Sequence, residues 1–229
     1  MISAGFLRRE TPEIIITDGW QALSMQWPAG HQHRIKEDIL RKTLIILMAM
    51  VLLAGLGEAW AASPRVQMDT SMGVIVLELS PHRAPQTVEN FLQYVNDGFY
   101  NDTIFHRVIR NFMIQGGGMT ADMQRKTARP PINNEADNGL KNRKGSIAMA
   151  RTGDPHSATA QFFINTKDNP NLDHRQKTAQ GWGYCVFGRV VKGMEVVSAI
   201  EAVKTGSKGG YRDVPLKPVV IRSVTLVKP

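Results

Sequence analysis

Apolar positions recur along this chain with two periods, and each change of period marks an element. Val66-Gln67-Met68-Asp69-Thr70 and Val74-Ile75-Val76-Leu77-Glu78-Leu79 are β-rich runs. The Ser71-Met72-Gly73 between them is a turn signal, so the pair predicts a hairpin. The period then lengthens. Pro85 opens a helical pattern in which Val88, Phe91, Leu92 and Val95 fall at i, i+3, i+4 and i+7 on one face, and Asn96-Asp97-Gly98 ends it. A second helical pattern runs from Met194 to Val203, with Val196, Val197, Ile200 and Val203 facing inward and Gly206 as its stop. Short apolar strands fill the rest: Ile104–Ile109, Phe112–Gln115, Gly145–Ala150, Gln161–Thr166, Tyr184–Val191 and Val219–Val227. Two helices among about eight short strands predict a mainly antiparallel barrel or sandwich.

The most apolar stretch lies outside this pattern. Residues 43–57, TLIILMAMVLLAGLG, are uncharged, and Arg41 and Lys42 stand directly before them. The run is shorter than the roughly 20 residues that a membrane-spanning helix needs. Ala59-Trp60-Ala61 follows, a small-x-small pattern. Together these read as a secretory signal peptide cut after Ala61, which leaves residues 62–229 as one working domain. The alternative is an uncut anchor through 43–57. Residues 1–40 have no clear period and are long for a signal's leading segment, so the natural start is expected near Ile35–Leu40. The expected location is the periplasm of a bacterium, or its membrane facing the periplasm if the anchor is kept.

Composition narrows the chemistry. The formal charge is +8, and residues 1–61 hold as many Lys and Arg as Asp and Glu, so the domain keeps the whole excess. A basic balance raises nucleic acid or acidic partners. Arg125, Lys126, Arg129, Lys141, Arg143 and Lys144 cluster in sequence, but no aromatic interleaving or nucleic-acid motif accompanies them, and no nucleic-acid partner is expected. The single cysteine, Cys185, rules out an intrachain disulfide framework and reads as a small buried hydrophobe in Tyr-Cys-Val-Phe. His82, His106, His156 and His174 have no ligand spacing, so no metal is expected. Gly116-Gly117-Gly118 lacks the Lys-Ser/Thr of a phosphate loop and reads as a tight turn after a strand. What remains is Phe105-His106-Arg107, Phe112-Met113-Ile114-Gln115 and Gln161-Phe162-Phe163. These supply an apolar pocket with a few neutral or cationic donors, which suits a reaction without proton transfer and does not suit hydrolysis.

Residues 100–117, Tyr-Asn-Asp-Thr-Ile-Phe-His-Arg-Val-Ile-Arg-Asn-Phe-Met-Ile-Gln-Gly-Gly, resemble the signature segment of the cyclophilins, the peptidyl-prolyl cis-trans isomerases. Gly145-Ser-Ile-Ala-Met-Ala150, Ala160-Gln-Phe-Phe-Ile164 and Val186-Phe-Gly-Arg-Val-Val-Lys-Gly-Met194 match further blocks of that family in order, so the likeness covers about Val66 to Val227. The short loops and the signal resemble the bacterial periplasmic branch. The resemblance implies an eight-stranded antiparallel closed barrel capped by two α-helices, with isomerase activity on X-Pro bonds and no cofactor.

Residue by residue, the resemblance implies that Arg107 is the central catalytic group, with Phe112 and Gln115 beside it. Phe112, Met113, Phe163 and Leu172 would line the proline pocket. Gln115 would support Arg107 and contact the substrate backbone. Ala150, Arg151 and Gln161 would hold the residues before the proline, and His106 would be a structural hydrogen bonder near the substrate. The chain departs from many eukaryotic members at Asn171, where they carry Trp, at Tyr184, where they carry His, and at Arg151, where Asn is frequent. Lacking the Trp, the protein is expected to bind cyclosporin weakly, and Arg151 should favour acidic side chains near the proline. The expected partners are proline-containing polypeptides, and the expected state is a monomer without stable membrane association once the signal is cut. The competing function is a holdase-like chaperone, or a proline-peptide binding module, that uses the same groove.

Overall fold

The computed structural model describes residues 63–227, together with 13–14, 25–26, 40–45 and 48. The chain divides into two compact units, Met1–Ala61 and Ala62–Pro229. In the first, Glu13–Ile14 and Met25–Gln26 form a two-residue antiparallel pair, and residues 40–45 are helical and exposed. Most of the apolar run and the Ala59-Trp60-Ala61 cleavage signal lie outside the described residues. No helix among the described residues is long and apolar enough to cross a membrane.

In the second unit, β1 (Arg65–Thr70) and β2 (Gly73–Leu79) form the predicted hairpin. Alternation puts Val66 and Met68 on the same buried side as Ile75, Leu77 and Leu79. Helix α1 (Pro85–Asn96) starts at Pro85 with no side-chain cap of its own. The distant Glu135 supplies one instead: its carboxylate accepts from Gln86 N at 3.1 Å, Thr87 N at 2.8 Å and the Thr87 hydroxyl at 2.7 Å. That satisfies orphan N–H groups and places a negative charge at the positive end of the helix. Val88, Phe91 and Val95 are buried as predicted, with Leu92 partly so.

Then come β3 (Thr103–Ile109), β4 (Met113–Thr120), β5 (Ser146–Met149), β6 (Phe162–Asn165), β7 (Val186–Lys192), α2 (Met194–Glu201), β8 (Thr205–Lys208), β9 (Tyr211–Pro215) and β10 (Val220–Leu226). Eight strands close into an antiparallel barrel in the order β10-β1-β2-β7-β5-β6-β4-β3, with β10 pairing β3 through Val220↔Ile104 and Ile221↔Thr103. This decides for a barrel over a sandwich. Phe91 of α1 and Ile200 of α2 lie in the same core as the inward side chains. Phe162 is central: its ring meets Phe91, Tyr100 and Phe105 edge-on at 5.9, 5.6 and 6.2 Å.

Three expectations are corrected. Gly116-Gly117-Gly118 is not a turn but the middle of β4. A side chain at Gly117 would meet Phe162 at 2.6 Å, and the residue sits at φ +78; one at Gly118 would collide with Gln161. Glycine is used here for close approach in an irregular strand rather than to reverse the chain. Helix α2 ends at Glu201, and Gly206 belongs to β8 rather than to a helix stop. Finally, β8 and β9 form a separate two-stranded sheet that the apolar pattern did not predict, because Thr-Gly-Ser-Lys has no alternation to read. Val214 and Tyr211 fasten that hairpin to Ile104, Met119 and Met123.

Candidate active site

Strands β4 to β7 are apolar on both sides. Ile114, Ile147, Phe162, Ile164 and Phe187 point into the barrel, while their neighbours Met113, Ala148, Phe163 and Val186 form a second apolar cluster on the outer wall. Ile109, Phe112, Leu140, Ala150, Leu172 and Tyr184 pack partly buried around it. A cavity of about 210 Å³ opens over this cluster, lined by Arg107, Phe112, Met113, Gln115, Ala150, Arg151, Phe163, Leu172 and Tyr184.

Register explains the convergence. Arg107 pairs with Gln115, Gln115 with Phe163, Phe163 with Ala148, and Ala148 with Val186, so one transverse row crosses five strands. A bulge puts Arg107 into this row. Phe105 opposes Gly116 and Arg107 opposes the adjacent Gln115, leaving His106 as the extra residue. In an unbroken strand Arg107 would share the inward face of Phe105, which is fully buried. The bulge turns it outward, and 45% of its side chain is exposed.

The polar groups are tied in different ways. Gln115 Nε2 donates to Gln161 Oε1 at 3.1 Å. Arg151 donates from Nε to Gly183 O at 2.9 Å and from Nη1 to Thr152 O at 2.8 Å, and its guanidinium lies 4.7 Å from the centre of the Tyr184 ring. Among the described residues Arg107 has one ion-pair partner, Asp213 of β9, whose Oδ2 lies 3.6 Å from Nε. Gln115 is bound to Gln161, and the ion-pair partner of Arg107 among the described residues is Asp213.

Of the predicted site residues, the cavity gathers all but two. Gln161 reaches it only through Gln115. His106 is 4% exposed and lies outside the lining, and its Nδ1 has no partner among the described residues. Burial, with the charges of Arg125 and Arg107, pushes His106 down to about 4. It is therefore neutral near pH 7.

A network that the sequence reading missed fixes two walls of the cavity. Asn169 Nδ2 donates to Phe112 O at 2.9 Å and to Asn165 Oδ1 at 2.7 Å. Asn165 Nδ2 donates to Ser146 Oγ at 2.9 Å and Asn142 Oδ1 at 3.2 Å, and Asn142 Nδ2 donates to Leu172 O at 3.1 Å. All three asparagines are buried. Asn165 carries a sequence signal, an amide ending the apolar run Phe-Phe-Ile-Asn165, whereas Asn142 and Asn169 stand among charged and polar neighbours and carry none.

The lining carries no carboxylate, imidazole or thiol. Its cations are guanidiniums, which do not exchange protons near neutrality. Cys185 is buried and inert: burial pushes its thiol up to about 12, against a hydrogen bond with Thr87. Such a site can orient, desolvate and donate hydrogen bonds, but it cannot run acid–base chemistry. Half of the basic cluster is engaged within the protein. Lys126 donates to Phe99 O, Arg129 pairs with Asp97, and Lys141 with Asp173.

Residues 65–226 match the family profile described as cyclophilin type peptidyl-prolyl cis-trans isomerase/CLD. The chain is 63% identical over 162 residues to a peptidyl-prolyl cis-trans isomerase of Streptomyces antibioticus, covering 71% of this chain and 98% of the relative. It is 56% identical over 161 residues to peptidyl-prolyl cis-trans isomerase B of Escherichia coli, covering 70% and 98%. A crystal structure of a cyclophilin type isomerase from Cryptosporidium parvum superposes with a TM-score of 0.60 at 26% identity, covering 73% of this chain and 99% of that one.

The buried imidazole sets an acid limit on stability. The unfolded chain takes up the His106 proton near pH 6.5, but the folded one only near about 4, so stability falls as pH drops through that window. Relative to His106→Asn, the wild type should lose about 2–3 kcal/mol between pH 7 and 4.5. Urea unfolding of both proteins at the two pH values measures this, and a difference that does not change with pH would overturn it.

Proposed function

Because the chain belongs to the cyclophilin-type peptidyl-prolyl cis-trans isomerases, and so to a family of enzymes that rotate X-Pro bonds, we propose that it does so by electrostatic stabilisation of the twisted imide from Arg107. The supporting observation is the cavity itself: the outward guanidinium of Arg107 lies beside Phe112, Met113, Phe163 and Leu172, and the lining holds no carboxylate, imidazole or thiol.

The barrier to peptide rotation, about 18–20 kcal/mol, comes from amide resonance. Twisting the C–N bond breaks that resonance and localises a lone pair on the proline nitrogen. An N–H of Arg107 donated toward that nitrogen, or to the proline carbonyl, is worth more in the twisted state than in either planar isomer, which is the condition for catalysis. Phe163, Met113 and Leu172 hold the ring. Gln115, oriented by Gln161, contacts the substrate backbone, and Ala150 and Arg151 receive the residues before the proline.

We propose that residues 43–61 export the domain to a bacterial periplasm with cleavage after Ala61. The charge-flanked apolar run and the division of the chain after Ala61 support this. The domain acts there as a monomer on proline-containing folding clients.

The central test is Arg107→Ala in an isomerase assay on a proline peptide. By analogy with removal of an oxyanion-hole donor, the rate should fall on the order of 10²–10³-fold; unchanged activity would overturn the mechanism. An inactive wild type that still binds unfolded clients would favour a holdase. In the same assay, peptides with Glu before the proline should show higher kcat/KM than those with Lys, and Arg151→Ala should erase the difference. Equal rates on both peptides in the wild type would remove Arg151 as a selector. Cyclosporin should inhibit weakly, since Asn171, exposed before Leu172, has no indole to offer. Asn171→Trp should tighten inhibition on the order of tenfold, and tight inhibition of the unaltered enzyme would refute this account.

A further inference from the structure

Two of the cavity's polar side chains, Gln115 and Arg151, are held by protein hydrogen bonds. Gln115 is bound to Gln161, and Arg151 to two carbonyls. Among the described residues Arg107 has no such side-chain bond. Its contact is Asp213 Oδ2, 3.6 Å from Nε, in an ion pair whose side chains are 45% and 40% exposed.

Asp213 sits in an unusual place to provide it. Its φ is +60, in the left-handed region that non-glycine residues rarely enter and that Asp and Asn tolerate best. Strained residues persist where the surroundings over-determine them. Here the next residue does so: Val214 is buried with Ile104 of β3 and with Met119 and Met123. The strand that anchors the β8–β9 hairpin is thus the strand that carries Arg107, three residues further on. The rest of the hairpin is polar and mostly exposed. Its consequence for the site is one carboxylate delivered beside a guanidinium.

We propose that Asp213 is a positioning residue for the isomerase: it holds Arg107 through Nε and leaves the two Nη groups to the substrate. A long, exposed arginine samples many rotamers, and each must be given up when the guanidinium meets the twisted imide. A carboxylate on Nε restricts those rotamers beforehand without using the outer donors. The proposal rests on Arg107 being the catalytic donor.

The test compares Asp213→Asn and Asp213→Gly with wild type and Arg107→Ala, all as the full chain. Both substitutions accept φ +60, so the backbone is kept while the charge is lost. An exposed pair is worth little, so kcat should fall only about two- to fivefold, with KM and melting temperature near those of wild type. The effect must also be ionic. In about 1 M salt, where screening is nearly complete, wild-type kcat should approach that of the variants, which themselves change little. In an Arg107→Ala chain, Asp213→Asn should add no further loss. If Arg107→Ala is slow while Asp213→Gly keeps wild-type kcat at low salt, the positioning role is overturned and the role of Arg107 stands. A loss that is independent of salt, or that persists in the Arg107→Ala background, also overturns it. If Arg107→Ala is itself fully active, the reading of Arg107 fails, and the role of Asp213 fails with it.

Discussion

The site depends on one extra residue in one strand. His106 has no counterpart between Gln115 and Gly116, and so Phe105 and Arg107, two apart in sequence, face opposite sides of the barrel wall. An arginine facing the core beside Phe162 would be an unpaired buried charge, which the interior does not tolerate. The bulge converts that liability into a cation at the edge of an apolar cavity. The bulge residue bears the cost: its imidazole is buried, lacks a partner at Nδ1 among the described residues, and stays neutral near pH 7.

Closure of the barrel makes the wall rigid enough for this placement to matter. A closed sheet has no free edge along which strands could slip, and a slip of one residue would exchange the faces of every side chain. With register fixed, the inward residues build a core around Phe162 and the outward residues build the floor of the cavity. Both sets come from the same short strands, which is why these read as continuous apolar runs rather than alternating ones. The loops above the floor are held by amides. Asn142, Asn165 and Asn169 satisfy one another and the carbonyls of Phe112 and Leu172. A buried network that is satisfied in this way specifies a single loop geometry, where apolar contacts alone would permit several.

This division of labour decides what can be read from the sequence. Local periodicity found the β1–β2 hairpin and both helices, because their apolar faces follow chain spacing. The Phe-His-Arg and Phe-Met-Ile-Gln segments, matched as a signature, located most of the cavity, because register brings neighbouring strands together in order. Long-range polar partners left no local trace. Glu135 caps α1 from 48 residues away along the chain, and Asp213 meets Arg107 from a hairpin without apolar alternation. The three glycines of β4 misled for a related reason. A turn and a close strand crossing both require a missing side chain, and only the partner, Phe162 or Gln161, tells them apart.

The proposed chemistry accounts for a cavity that joins apolar side chains to guanidinium donors. A planar amide owes its barrier to a charge-separated resonance form, and water stabilises that form more than it stabilises the twisted one. On the proposed mechanism, moving the bond from water into the space between Phe112, Met113 and Phe163 would work in the same direction as the guanidinium: the wall would weaken support for the planar state while Arg107 would support the twisted one. The two contributions need each other. A donor in open water would be screened and would gain little, and an apolar pocket without a donor would hold proline without favouring rotation. A titratable base in the lining would add a proton-transfer group that the reaction has no use for, and it would tie activity to pH. The pairing of an outward arginine with an outer-wall apolar cluster follows from this requirement, and the bulge at His106 is what lets a single strand supply both the core and the donor.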